Sequence, residues 1–224
     1  MIKFKILTLF PSFYDSFLNT SLIKKARENG ILKFEIYNLR DFSQDENVDD
    51  YPYGGGPGMV LKPEPVFNAY DKLKEKDDLF IIFSPRGELL NYKLAKEIYE
   101  KSKSFLLLCP RYEGVDERVI TGLKGFELSI GDYVLISGDT ACLVFIEVIS
   151  RFERGVVGKE SSVIDESFSS GFLEYPQYTR PREFRGMKVP DVLLSGDHEK
   201  IKEWRKNMAY KITKERRPDL LEEE

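Results

Sequence analysis

The stretch LLLCPRYEGVDER, Leu106 to Arg118, constrains this chain more than any other. Three leucines behind Phe105 make a short apolar run closed by Pro110, which suits a fully buried strand that runs out into a loop. Arg111, Tyr112, Glu113 and Gly114 follow, and Asp116 and Glu117 supply the acidic start that favours the positive end of a helix. In open α/β sheets ligands bind outside the carboxyl ends of strands, so this loop is a candidate ligand wall. A solvated strand-to-helix turn uses the same residue types, and spacing alone does not separate the two readings.

The rest of the chain alternates around that strand. Lys3 to Phe10 reads as a strand closed by Pro11, with Ser12 placed to cap a helix whose face is Phe13, Phe17, Leu22 and Ala26 and whose stop is Asn29-Gly30. Leu32, Phe34 and Ile36 alternate with polar neighbours, the period of a half-exposed strand. A polar stretch then leads into YPYGGGPGM, Tyr51 to Met59, where the glycines give backbone freedom or admit a ligand or second chain close to the main chain. It is not a phosphate-binding Walker loop, because Lys62 is out of register and no Ser or Thr follows it. Val66, Ala69, Tyr70 and Leu73 mark a helix. LFIIF, Leu79 to Phe83, reads as a strand ending in the SPRG turn at Ser84, and Leu94, Ala95, Ile98 and Tyr99 mark another helix. Beyond the central loop, Gly131 and Gly138 bracket the apolar run Tyr133 to Ile136. Asp139 is placed to cap a helix from Thr140 to Phe152 that is apolar nearly all round, and such a helix belongs in a core or against another subunit. Alternation throughout predicts an α/β body with a mostly parallel sheet. Composition shifts at Gly158 to Gly171, rich in Ser, Gly and acid, which reads as a linker. A proline-punctuated segment and a last helix capped by Asp197, with Ile201, Trp204, Met208 and Ile212 inward, form a small helical appendage.

Length allows one large domain, or a medium and a small one, among 224 residues. A net charge of −4 argues against a generic polyanion binder, yet Arg180 to Arg217 holds twelve Lys and Arg against six Asp and Glu. That local excess permits contact with phosphate. Cys109 and Cys142 lie in apolar surroundings and read as buried thiols of a reducing compartment, and His198 alone cannot make a histidine-rich metal site. The apolar run at the N-terminus is too short for a signal peptide or a membrane span, so the protein is read as soluble and cytosolic, with neither membrane nor DNA as partner.

In this order and spacing VDDYPYGGGPGM, RYEGVDER, SIGDYVL, SRF, YTRP and VLLSG closely resemble the bacterial tRNA (guanine-N1)-methyltransferases, and the resemblance covers essentially the whole chain. It implies a SPOUT-type parallel sheet with a C-terminal trefoil knot over residues 1–158, a linker over 159–171 and a helical tRNA-binding domain over 172–224. It also implies a homodimer that shares its active sites and methylates N1 of the tRNA guanosine at position 37, 3′ to the anticodon, from S-adenosylmethionine. The cofactor positions fall on Ser84, Pro85, Pro110, Arg111, Tyr112, Glu113, Ile130, Gly131, Asp132, Tyr133, Val134, Leu135 and Gly138. Arg151 of SRF matches the arginine that assists the reaction, Glu166 or Asp165 matches the catalytic acid, and Arg180, Arg182 and Arg185 are the expected tRNA contacts. An arginine or a bound magnesium would stabilise the negative charge that appears on the purine oxygen.

The chain departs from the family pattern in several places. Glu166 stands where the family carries aspartate, which makes it the favoured base over Asp165. Pro110 stands where the family has glycine, and Ile136-Ser137-Gly138-Asp139 stiffens a glycine loop. Gln44 to Asn47 replace basic residues. These departures motivate an alternative, a tRNA-binding relative with reduced or lost methyl transfer. A ribosomal-RNA methyltransferase of the same superfamily is disfavoured by YGGGPGM and YTRP.

Overall fold

A computed structural model of the protein describes residues 1–157 and 167–221. The chain divides into two units, Met1–Gly158 and Lys159–Glu224.

The first unit is built on a five-stranded sheet of β1 (Ile2–Thr8), β2 (Leu32–Asn38), β5 (Asp78–Leu89), β6 (Ser104–Leu108) and β7 (Phe126–Ser129). The spatial order is β2-β1-β6-β5-β7 and every pairing is parallel. Parallel strands need helical crossovers, and these cover both faces. Helices α2 (Ser21–Glu28), α4 (Tyr92–Lys101) and α6 (Gly138–Arg151) bury Ala26, Ile98, Phe145 and Ile149 against Phe4, Ile6, Ile81 and Leu107. On the other face α3 (Pro63–Leu73) and α5 (Glu117–Leu123) bury Val66, Ala69 and Val119 against Leu7, Phe80, Leu106 and Leu108. Burial of each large apolar side chain contributes about 1.5–3 kcal/mol, so the central strands, buried on both faces, carry most of the stabilisation. The α/β body with a parallel sheet predicted from alternation is the one observed.

Three local expectations are corrected. The helix read from Ser12 is instead a 3-10 turn (Pro11–Tyr14), a single turn α1 (Asp15–Leu18), and α2; no side chain caps the first turn, and Ser21 sits at φ 49° between the last two. That break resets the helical phase, so Tyr14, Leu18, Ile23 and Ala26 face the core while Phe13 and Leu22 are exposed. Strand β5 does not end at Ser84. It runs through the SPRG segment with a register shift between Phe83 and Glu88, because Gly87 lies flat against the main chain of Glu127 and Leu128 where a Cβ would overlap them. Helix α6 begins at Gly138, with Ser137 as its N-cap, and Asp139 is buried in the first turn.

Between β2 and α3 the glycine segment closes a short antiparallel pair, β3 (Asp49–Asp50) with β4 (Val60–Leu61). Strand β4 is also tied to the loop beyond β6 by hydrogen bonds from Leu61 N to Gly114 O and from Asp116 N to Leu61 O, each 3.0 Å.

In the second unit Ser167 to Ser170 form a turn whose Ser167 hydroxyl accepts from Glu174 N. The unit continues with a hairpin, β8 (Glu183–Phe184) with β9 (Met187–Lys188), and ends in α7 (His198–Arg216) and a 3-10 turn (Pro218–Leu221). Asp197 caps α7 as expected, its carboxylate accepting from Lys200 N at 3.2 Å.

Candidate active site

The carboxyl ends of β5, β6 and β7 open into a cleft of about 1040 Å³, the upper end of the range for small-molecule sites. Three segments wall it: Ser84 to Arg86 at the register shift within β5, Pro110 to Arg118 after β6, and Ile130 to Ser137 after β7; Asp50 to Tyr53 and Val60 to Glu64 close another side. Of the thirteen residues to which the resemblance gives the cofactor, all but Asp132 line this one cleft.

Two of the loops are bound to each other. Gly138 N donates to Pro110 O at 2.8 Å, and Arg111 bridges Ser137. A Cβ at Gly138 would stand 2.9 Å from Pro110 Cδ and 3.0 Å from Cys109 Cα, so only glycine lets the start of α6 pass this close under the β6 loop. Proline at position 110 therefore still contributes to the site through its carbonyl. Gly131, at φ 156°, lets the Tyr133 ring fold back over the main chain, where its hydroxyl donates to Ile130 O at 3.0 Å. Val134 and Ile136, read as part of an apolar run, are each 86% exposed on this loop.

Below the cleft lies a buried polar cluster. The Asp139 carboxylate accepts from Thr8 Oγ1 at 2.6 Å and from Tyr14 OH at 2.9 Å, and the Tyr14 hydroxyl lies 3.3 Å from Cys109 Sγ. Asp139 also sits in the first turn of α6, where a negative charge is favoured. Burial first, and then the neighbouring thiols and Asp139, push the Tyr14 phenol far above its usual range. Burial, with Cys142 and Asp139, does the same to the Cys109 thiol. Both cysteines are free and buried, and Cys109, its thiol held protonated, is a packing residue rather than a nucleophile.

The cleft walls carry groups whose bonding is incomplete. Arg111 lays its guanidinium over the Phe10 ring, 4.3 Å from the centroid, yet its Nε is buried without a hydrogen-bond partner; Glu64 Oε1 is buried and unpartnered as well. Leaving such groups unmade costs about 1–3 kcal/mol each, and a ligand with both donors and acceptors relieves it. Tyr112 adopts φ 59° at the loop tip, and burial together with the Asp49 carboxylate raises its phenol. S-Adenosylmethionine fits this chemistry: a flat apolar base for the wall of Ile130, Tyr133 and Leu135, and hydroxyl, amine and carboxylate groups for the unpartnered atoms.

Sequence reasoning missed Glu64 and Arg86 as wall residues; no local spacing marks them, since α3 and the extension of β5 bring them in only through the tertiary fold. Arg151 lies exposed in the last turn of α6 and does not line the cleft. Glu166 and Asp165 fall outside the described residues. Arg180, Arg182 and Arg185 are exposed in the second unit. Among the described residues no group of three or more His, Cys, Asp or Glu is placed to hold a metal ion, so the magnesium named as an alternative to an arginine finds no such ligand set there. No helix among them is long and apolar enough to cross a membrane.

Comparison with known proteins agrees with this geometry. The family model described as tRNA (Guanine-1)-methyltransferase TrmD matches residues 2–223. A tRNA (guanine-N(1)-)-methyltransferase of Dictyoglomus turgidum is 50% identical over 99% of this chain and 91% of its own length. Those of Clostridioides difficile and Thermosipho melanesiensis are 47% and 49% identical over 98% of this chain, and over 97% and 90% of their own lengths. With a family model matched nearly end to end and relatives at about half identity over nearly full length, the chain belongs to the tRNA (guanine-1)-methyltransferase family.

Proposed function

We propose that this chain methylates N1 of the guanosine 3′ to the anticodon of tRNA, drawing the methyl group from S-adenosylmethionine held in the cleft at the carboxyl ends of β5, β6 and β7. The observation that carries the reading is the convergence of three sequence-distant loops on one cleft whose buried Arg111 Nε and Glu64 Oε1 await partners. The proximity of Ser137 and Gly138 to Pro110 and Arg111 supports a chain that threads under the β6 loop, as a trefoil knot requires.

When bound, S-adenosylmethionine supplies an electrophilic methyl group on a sulfonium. The loops Pro110 to Glu113 and Ile130 to Leu135 hold and orient it, and the apolar wall excludes water from it. The carboxylate of Glu166 accepts the N1 proton of guanine, with Asp165 the lesser candidate, and Arg151 offers positive charge to the purine oxygen as N1 is methylated. The second unit, with Arg180, Arg182 and Arg185, binds tRNA phosphates.

The working form is a homodimer that shares its sites. Its support is apolar surface that a single chain leaves in water: Val144 on α6 is 39% exposed, beside half-buried Leu143 and Val148, and Val134 and Ile136 stand out from the β7 loop. Light scattering is expected to give twice the 26.0 kDa chain mass, and a single-chain mass would overturn the dimer.

Calorimetric titration with S-adenosylmethionine tests the cofactor assignment, with saturable binding expected; no heat at millimolar ligand would refute it. Glu166→Gln is expected to abolish methyl transfer while cofactor binding persists, Asp165→Asn to do much less, and Glu166→Asp to retain or raise the rate. Parental single-turnover transfer by Glu166→Gln would remove Glu166 from the mechanism.

A further inference from the structure

The β8–β9 hairpin carries a surface that its own packing does not explain. Its register pairs Glu183 with Lys188 and Phe184 with Met187 across a two-residue turn, Arg185-Gly186, in which both φ angles are positive, at 52° and 77°. Side chains alternate along a strand, so Phe184 and Met187 share one face and Glu183 and Lys188 the other. The charged face closes on itself, with Lys188 Nζ 3.8 Å from Glu183 Oε2. The apolar face stays open: Phe184 is 56% and Met187 65% exposed. Other rings of the unit find partners, Phe172 with Tyr210, Tyr178 with Trp204, and Tyr175 beneath Arg205, whereas the ring contact of Phe184 is its neighbour Arg185, whose guanidinium lies 5.3 Å from the ring centroid.

A two-stranded hairpin is marginal by itself, and one that turns its apolar face to water gives up the burial that would stabilise it. An arginine rather than glycine or asparagine at the left-handed turn position adds backbone strain and fixes a cation at the tip. Residues Arg180 to Lys188 carry four Arg or Lys against one Glu. One aromatic ring and one thioether offer the area of a single base rather than of a membrane-anchoring or protein-docking patch, and the surrounding cations suit a phosphate backbone. Unpaired RNA bases are held in this way, stacked on aromatic faces and arginine planes, with cations on the flanking phosphates.

We infer that Phe184 and Met187, with Arg185 at the tip, form a stacking platform for one unpaired base of the tRNA, while Arg180 and Arg182 hold adjacent phosphates. The inference rests on the tRNA reading above and adds a specificity element: the hairpin selects a single-stranded loop over continuous duplex.

The test is binding of the full chain to an anticodon stem-loop RNA and to a fully paired duplex of equal length, each over a salt series. Phe184→Ala, with the parental melting temperature, is expected to weaken stem-loop binding about fivefold to a hundredfold, the range for one base–aromatic stack, with the salt slope unchanged. Its duplex affinity should stay at the parental value. Phe184→Trp should restore stem-loop affinity, its fluorescence quenched by stem-loop and not by duplex. The Arg180→Ala/Arg182→Ala double variant should instead flatten the salt slope by about 0.7 per lost contact. Parental stem-loop affinity in Phe184→Ala and no quenching in Phe184→Trp, with the double variant weakened, would overturn the platform and leave the tRNA reading intact. Failure of the parental chain to bind either RNA would overturn both. A Phe184→Ala chain that loses self-association while binding RNA normally would assign this face to a second copy and refute the platform.

Discussion

Near the amino ends of β5 and β6, Lys5 is 2% exposed, and its ammonium reaches Asp78 Oδ2 and Glu75 Oε1 at 2.9 Å and Leu73 O at 2.7 Å, with Ser104 donating to the other Asp78 oxygen. At the carboxyl ends of the same sheet, Asp139 takes two hydroxyls beneath the cleft, while above it Arg111 Nε and Glu64 Oε1 are unpartnered and Tyr112 stands in a left-handed conformation. One end closes every bond around its charges; the other leaves bonds open and holds strain. Parallel strands make the second arrangement possible only where loops converge, so stability and binding are expected to separate along the sheet axis.

The sharpest way to break this contrast is at Asp78. Asp78→Ala leaves the buried Lys5 ammonium with Glu75 and Leu73 O alone and the Ser104 hydroxyl without its acceptor, and is expected to cost about 1–3 kcal/mol in urea unfolding, with the cofactor affinity of the folded protein unchanged. The pH dependence has a definite sign. Burial alone would raise the Asp78 carboxyl, but Ser104, the Glu75 amide and Lys5 outweigh it and hold the folded value below the usual range. Its contribution is complete above the unfolded pKa of about 3.9 and is lost as pH falls through the folded value. Lys5 behaves oppositely: against the effect of burial, Glu75 and Asp78 hold it above its usual value, so its share is complete below about pH 10.4 and fades as pH rises through the folded value. Urea midpoints measured against pH should show both limbs, and Asp78→Asn should shrink the acid one, leaving the share of Glu75, Glu35 and Asp116, which are also held below the usual carboxylate range.

Gly138→Ala probes the other end. The added carbon meets Pro110 Cδ at 2.9 Å and the main chain of Cys109 and Pro110, an overpacking expected to cost about 1–3 kcal/mol. Because the loop displaced is a cleft wall, calorimetry should show cofactor affinity falling by about tenfold or more, the penalty for misplacing a binding wall by a fraction of an ångström. Equal affinity in Gly138→Ala would break the separation.

Asp139→Ala leaves the Thr8 and Tyr14 hydroxyls buried without their acceptor, an expected loss of about 1–3 kcal/mol in thermal or urea unfolding, with a smaller loss in cofactor affinity through the first turn of α6. The smallest effect belongs to the surface: Arg118→Ala breaks the 2.8 Å pair with Asp116, but the arginine side chain is 68% exposed and solvent screens the pair, so the urea midpoint should not move measurably.

The sheet that carries both regions is legible in the sequence. Apolar runs announced β1, β5 and β6 because strands buried on both faces have few polar positions, and RYEGVDER marked the wall loop because charge follows directly on a buried run. Lys5 was not legible as a buried cation: in KFKILTLF it reads as an ordinary exposed alternation, and its partners Glu75 and Asp78 lie some seventy residues away. The passage of α6 beneath Pro110 is hidden for the same reason, since a close approach between residues 110 and 138 leaves only a proline in one local pattern and a glycine in the other. The helical phase between Ser12 and Ala26 does not follow from the sequence, because Ser21 breaks it with a conformation that serine rarely adopts.

The account is tested most directly by single-turnover methyl transfer from labelled S-adenosylmethionine to a tRNA transcript, with nucleoside analysis of the product and a parallel transcript carrying adenosine in place of the guanosine 3′ to the anticodon. The account predicts 1-methylguanosine at that one position and no label in the adenosine transcript. Saturable cofactor binding without transfer to the guanosine transcript, or label on any other nucleotide, would contradict it.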